Sequence, residues 1–209
     1  GKFTCSIGKN FSALPFPLQP SSFSECAKAS ASLYAMMCSK KWNFRVVEFK
    51  QGSPYGLTIS ATRSIESIYG SFCYDKVFGT LVNRMCAQAV LNKDLSVYGN
   101  GEQRIGIISL EDAVESYVEV IRKFENMDVN SGFFGVKESS PKGFYKVINQ
   151  VTATSSVKEI AEIILNTAKK VLKSRSKIVF DKNIRNEKSQ KSYVVIASTI
   201  FGMGLGRKI

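Results

Sequence analysis

Histidine is absent from the 209 residues. That absence excludes Ser-His-Asp and Cys-His hydrolysis, helix-borne His zinc sites and Cys/His zinc fingers. It also removes the one side chain whose unperturbed pKa lies near neutrality. Acid–base work in this chain therefore falls to Lys, Tyr, Glu or Asp with shifted pKa values. Cysteine is scarce and unpatterned: positions 5, 26, 38, 73 and 86 contain no C-x-x-C. An odd count at such spacings suits neither a disulfide framework nor a structural zinc site, so the expectation is reduced thiols, a cytoplasmic protein and no metal centre. Long apolar runs are missing too. The longest, Val194 to Leu205, is broken by Ser198, Thr199 and two glycines, and no basic segment followed by an apolar stretch opens the chain. Neither a membrane span nor a targeting segment is expected.

What is present is an ordinary globular composition, 44% hydrophobic and 22% charged, with a net charge of +12. The charge is uneven. Residues 168–209 hold eleven Lys and Arg against Asp181 and Glu187, nine of the twelve net charges. Such a tail suits phosphate, of nucleic acid or of a nucleotide, or else a solvated helix face. A nucleic-acid-binding module is the rival from another class, but no recognised motif or cluster of stacking aromatics accompanies these lysines.

Helices alternate with short strands. Pro15, Pro17 and Pro20 make the first twenty residues an irregular lead-in. Ser22 and Glu25 form a capping-box pattern opening a helix to about Lys41, with apolar residues at 23, 26, 27, 33, 34 and 37. Phe44 to Phe49 reads as a strand ending in the turn-rich Gln51–Gly56. A helix fits 76–92, and Leu95 to Tyr98 a short strand. Asn100-Gly101 is a hairpin-type turn into a strand over 104–110. Ser109 and Asp112 open a helix to about Glu125, Tyr145 to Asn149 is a strand, Ser156 and Glu159 cap a helix to about Leu172, and Ile178 to Phe180 is a final strand. The pattern is α/β. No Gly-x-Gly-x-x-Gly and no P-loop occurs.

A set of ordered words carries a resemblance. Leu14-Pro-Phe-Pro-Leu-Gln-Pro-Ser-Ser-Phe-Ser-Glu-Cys-Ala-Lys28 leads to Gln51-Gly52 and Tyr55-Gly56, then Tyr74-Asp-Lys-Val-Phe-Gly-Thr80, Asn83-Arg84, Cys86 and Gln88-Ala89. Leu95-Ser-Val-Tyr-Gly99, Gly101 with Gln103, Asp112, Asn149-Gln150-Val-Thr152, Ser156-Val157 and Arg185-Asn186-Glu187 complete it. Over roughly residues 14–187 this resembles the UDP-sulfoquinovose synthases, in the NAD-dependent nucleotide-sugar branch of the extended short-chain dehydrogenases/reductases.

The resemblance implies the later half of an extended short-chain dehydrogenase fold: the end of a Rossmann-like sheet plus a small α/β substrate domain. Residues 1–56 would close the dinucleotide-binding core. Residues 57–209 would be mostly the nucleotide-sugar domain with a basic tail. It implies NAD as cofactor, UDP-glucose as substrate, sulfite as co-substrate, and an upstream half or a homodimer partner; an epimerase or dehydratase of the same superfamily is the near alternative.

Family enzymes use Tyr-x-x-x-Lys on one helix face, the ammonium lowering the phenol's pKa and holding the nicotinamide ribose. Lys28 matches the lysine, but Ser24 stands at the tyrosine position and Glu25 follows it. By resemblance Pro54 passes near the nicotinamide. Gln51, Thr80 and Asn83 face the sugar and diphosphate, Leu95 and Val97 line the uracil pocket, Gln103 belongs to the substrate side, and Arg185 pairs with phosphate. The family tends to read Gln-Thr-Arg-Gly where this chain has Gln103-Arg104-Ile105-Gly106. The arginine is shifted one place, to the opposite strand face. The glycine-rich NAD half has no counterpart in these residues. A fragment, a split-enzyme subunit and a relative retaining only sugar-nucleotide binding are all open at this point.

Overall fold

A computed structural model describes residues 2–7, 10–15, 19–20, 22–69, 73, 75, 79–125 and 143–182. The chain divides into two compact units, one of Gly1–Glu48 with Phe134–Val147 and one of Phe49–Phe133 with Ile148–Ile209. The division falls inside a strand, between Glu48 and Phe49.

The first unit opens on a hairpin where the prolines predicted an irregular lead-in: β1 (Lys2–Ile7) pairs antiparallel with β2 (Asn10–Pro15), Lys2 opposite Pro15 and Ile7 opposite Asn10. The reason lies in the residues before the prolines. Phe3, Thr4 and Ile7 favour a strand, and Pro15 sits at the very end of β2, where a missing N–H does least harm. Helix α1 (Phe23–Trp42) begins where the cap placed it, the Glu25 N–H donating to Ser22 Oγ at 3.2 Å, and ends at Asn43 in the left-handed region. Its apolar positions face outward, with Phe23, Leu33, Tyr34 and Met37 exposed and Ser39 buried. Ser32 Oγ donates to Glu48 Oε1 at 2.6 Å, and the Tyr145 phenol donates to Glu48 Oε2.

Strands β3 (Arg45–Gln51) and β7 (Phe144–Gln150) pair with each other. In the second unit β4 (Ser53–Tyr55) lies parallel to β6 (Arg104–Ser109), which pairs antiparallel with β8 (Ala153–Ser156). β5 (Leu95–Tyr98) runs parallel to β9 (Ile178–Asp181). So Asn100-Gly101 does make a turn, but not a hairpin, because β5 and β6 belong to different sheets. Glu102 N–H donates to Asn100 Oδ1, and the turn is tied instead to α4 (Val157–Leu172): Lys158 N–H reaches the Gly101 carbonyl at 3.0 Å, and Val157 N–H the Gln103 carbonyl at 3.1 Å.

Helix α2 (Leu81–Val90) is shorter than predicted; it starts after Thr80, and residues 76–78 lie outside the described set. Helix α3 (Leu110–Glu125) follows β6, with Ser109 Oγ accepting from Asp112 N–H. The core of this unit joins Met85 and Ala89 of α2, Leu95 and Val97 of β5, and Val157, Ala161 and Ala168 of α4. Apolar burial at these positions is the main stabilising term.

The capping box of α4 is complete: Glu159 N–H donates to Ser156 Oγ at 3.1 Å, and Ser156 N–H to Glu159 Oε2 at 2.8 Å. That backbone bond, then the Ser156 hydroxyl and nearby Arg104, hold the Glu159 carboxyl below its ordinary value of 4.5. A depressed folded pKa means stability that is complete above pH 4.5 and disappears as pH falls through the lowered value. Glu159→Gln is therefore expected to flatten the acid limb of stability against pH. Urea midpoints taken from about pH 6 to about pH 3 check this; an unchanged slope contradicts it.

Candidate functional site

Of the residues of the second unit that the sequence marked for a sugar nucleotide, Gln51 meets Tyr117 of α3 and Asn83 of α2 meets the loop after β4. Gln51, the last residue of β3, is exposed. Its Nε2 donates to Gln150 Oε1 at 2.7 Å and to the Tyr117 hydroxyl at 2.8 Å. The Tyr117 ring stands edge-on to Phe49, centroids 4.8 Å apart. Chain direction here depends on a close approach. A Cβ on Gly52 would lie 2.8 Å from the Gly106 carbonyl oxygen, so only glycine lets β3 pass so near β6 on its way to Pro54.

Asn83 holds the loop that follows. Its Oδ1 accepts from Gly56 N–H at 2.9 Å, and its Nδ2 donates to the Gly56 carbonyl at 3.3 Å. Both ends of the amide are spent on one backbone residue, which itself has a left-handed φ of 111°. Asn83 thus shapes the loop after Pro54.

Thr80 occupies the N-cap position of α2 but makes no capping bond, and its buried Oγ1 has no hydrogen-bond partner among the described residues. The first turn of the helix keeps backbone N–H groups that no earlier carbonyl satisfies. An unpaired hydroxyl beside them is a place for an anionic oxygen. Behind it Arg84 is buried. Its guanidinium donates to Ser96 Oγ and to the Ser96 carbonyl, and lies 4.8 Å from the centroid of the Tyr98 ring.

Leu95 and Val97 correct one expectation. Their side chains have no exposed surface and belong to the core, so they do not line a pocket. Gln103 Nε2 donates to the Tyr98 carbonyl at 3.0 Å and braces the turn between β5 and β6. Arg104 bonds the Thr154 carbonyl and lies 3.8 Å from Glu159. Arg185 lies outside the described residues. Lys169, Lys170 and Lys173 sit exposed at the C-terminal end of α4, where the helix dipole favours cations.

In the first unit Ser24 and Lys28 are one turn apart on α1, both exposed. No phenol occupies the position four residues before the lysine. Two other tyrosines are poor bases: burial and then Asp112 push the Tyr55 phenol up, and burial with the Glu48 hydrogen bond pushes Tyr145 up to about 12.

Gln150 and Tyr117 are the residues of this site whose roles the sequence did not disclose. Gln150 was visible only as part of a word, because its partners lie 34 to 99 residues away.

These elements define an α/β chain carrying part of the extended short-chain dehydrogenase/reductase fold. The structure aligns with UDP-glucose 4-epimerase from Thermotoga maritima, solved with UDP-glucose, at a TM-score of 0.62 and 13% identity, covering 91% of this chain and 50% of that one. It aligns with UDP-glucuronic acid 4-epimerase from Bacillus cereus, solved with UDP-glucuronic acid and NAD, at 0.58 and 14% identity, covering 97% and 53%.

In sequence, the chain is similar to UDP-sulfoquinovose synthases. It is 30% identical over 171 residues to the chloroplastic enzyme of Spinacia oleracea, covering 82% of this chain and 32% of that protein. It is 36% identical over 126 residues to the enzyme of Sulfolobus acidocaldarius, covering 59% and 27%. The chain thus spans about a third or less of the curated relatives it matches and about half of the solved structures. No family model matches it. Among the described residues, no helix is long and apolar enough to cross a membrane.

Proposed function

We propose that this chain binds a UDP-sugar as the sugar-nucleotide side of a UDP-sulfoquinovose synthase-like protein, with UDP-glucose as the ligand. Similarity to two such synthases along most of the chain is the observation that carries the reading. The arrangement around α2 supports it. Gln51 offers a polar group to the sugar, and Thr80 Oγ1 with the first N–H groups of α2 offers donors to the diphosphate. Asn83 contributes by fixing the loop through Gly56. Any contact to uracil from β5 comes from its backbone, since Leu95 and Val97 are core residues. Arg185 is a further cation for phosphate.

NAD is the cofactor of the reading. Bound, it would accept a hydride from a sugar carbon that bears a hydroxyl. By the resemblance Lys28, exposed on α1, would hydrogen-bond its ribose. The described residues include no strand–glycine-turn–helix unit to cradle its pyrophosphate. Ser24 does not replace a phenol as proton acceptor, because one ammonium does not bring an aliphatic hydroxyl near neutrality. Sugar-nucleotide binding is the part of the reaction to which these residues contribute.

Thr80→Val tests the reading. The change keeps the β-branched shape and removes a hydroxyl that bonds none of the described residues. Calorimetry is expected to show about a tenfold loss of UDP-glucose affinity, the worth of one hydrogen bond to a charged group, with the melting temperature unchanged. Equal affinity in the two proteins removes Thr80 from the site, and absence of binding to the unmutated chain rejects the function.

A further inference from the structure

Gln51 is held in one orientation by Gln150 and Tyr117. The chain of orientation begins at the Ala113 carbonyl in α3. Ser116 Oγ donates to it at 2.8 Å, and Gln150 Nε2 donates to it at 3.0 Å and to Ser116 Oγ as well. A carbonyl oxygen only accepts, so the end of the Gln150 amide facing it is nitrogen. The oxygen of that amide then faces the other way, where Gln51 Nε2 lies at 2.7 Å. Gln150 has no exposed surface, and turning its amide over would set oxygen against oxygen at Ala113.

The same logic passes one residue further. Gln51 must present nitrogen to Gln150 Oε1, and its second N–H goes to the Tyr117 hydroxyl at 2.8 Å. Both donors of Gln51 are thereby consumed inside the protein. Its Oε1 accepts from no described residue. Beside it, the Tyr117 hydroxyl receives from Gln51, leaving its own proton free to point outward. The exposed pair consists of one acceptor and one donor.

We propose that Gln150 and Tyr117 are positioning residues that lock Gln51 as a hydrogen-bond acceptor, so that this corner selects a sugar hydroxyl that donates its proton. The assignment rests on the reading that Gln51 faces the sugar of a UDP-sugar. It adds which atom does the recognising, and why a group unable to donate is rejected there.

The experiment measures binding of UDP, UDP-glucose and the monodeoxyfluoro analogues of UDP-glucose, one for each sugar hydroxyl, to the 209-residue chain. Fluorine keeps the size of the group but cannot donate. One analogue is expected to bind about two- to tenfold more weakly than UDP-glucose, the range for a single hydrogen bond. In Gln150→Met the advantage of UDP-glucose over that analogue is expected to disappear, and in Tyr117→Phe, which removes one of the two bonds holding the Gln51 side chain, to shrink, while UDP affinity stays unchanged in both. A purely structural role for either residue would lower UDP and UDP-glucose binding together. Gln150→Met leaves the Ala113 side without its donor and risks the fold; Tyr117→Phe keeps the ring against Phe49 and gives the result alone if needed. An unchanged UDP-glucose-to-analogue ratio in Tyr117→Phe overturns this assignment and leaves sugar-nucleotide binding standing. Absence of binding by both UDP and UDP-glucose overturns the underlying reading and this assignment with it.

Discussion

Leu95→Ala is expected to lower the free energy of unfolding by about 2–5 kcal/mol. Leu95 has no exposed surface and sits where β5 meets α2 and α4, in the cluster formed with Met85, Ala89, Val157 and Ala161. Truncation removes apolar atoms from a closed packing and leaves a cavity that two helices held by their own hydrogen bonds fill only in part. Urea denaturation followed by circular dichroism measures the loss. A change below about 0.5 kcal/mol, the range of ordinary surface substitutions, would mean that β5 is not the centre of this core.

Gly101→Ala is expected to destabilise by about 2–5 kcal/mol through two separate terms. The residue has φ of 73°, which costs any L side chain about 1–2 kcal/mol. A Cβ there would also lie 2.8 Å from Val97 Cγ1 and 3.1 Å from Lys158 Cβ. The two terms separate in a double mutant. Val97→Ala removes the methyl that would be struck, so Gly101→Ala made in that background is expected to cost less than in the unmutated chain. Strict additivity of the two changes contradicts the contact with Val97. The backbone term would remain.

These two positions also show what the sequence disclosed and what it withheld. Signals confined to a few residues were legible: Ser22 before α1, Ser156 with Glu159 before α4, and Ser109 before Asp112 all cap helices as their spacing implied. The strand over Leu95–Tyr98 was legible too, since alternation places Leu95 and Val97 on the buried side. Its partner was not. The turn chemistry of Asn100-Gly101 points to the next strand, whereas β5 pairs with β9, with Leu95 opposite Ile178. Nothing local announces a parallel pairing that distant. β8, reading Ala-Thr-Ser-Ser, has too little apolar character to stand out, and exists as a strand because β6 offers it an edge.

The site was legible in the same uneven way. The resemblance brought forward Gln51, Thr80 and Asn83, which lie at the end of β3, before α2 and within α2. It assigned Leu95 and Val97 to a pocket because a motif specifies residues and not the side of the strand that packs. Asn83 looked like a ligand residue, yet its amide is taken up by Gly56. Gln150 and Tyr117 gave no sign of their part in the site, because an amide's orientation depends on what meets it in space: here Ala113 and Ser116 for one, Gln51 for both.

Sugar-nucleotide binding is the central claim, and titration of the 209-residue chain with UDP-glucose in a calorimeter tests it most directly. A saturable heat with one UDP-glucose per chain is expected, with affinity weakened about tenfold by Thr80→Val. No heat with UDP-glucose, from a chain shown to be folded by a cooperative melt, would contradict it.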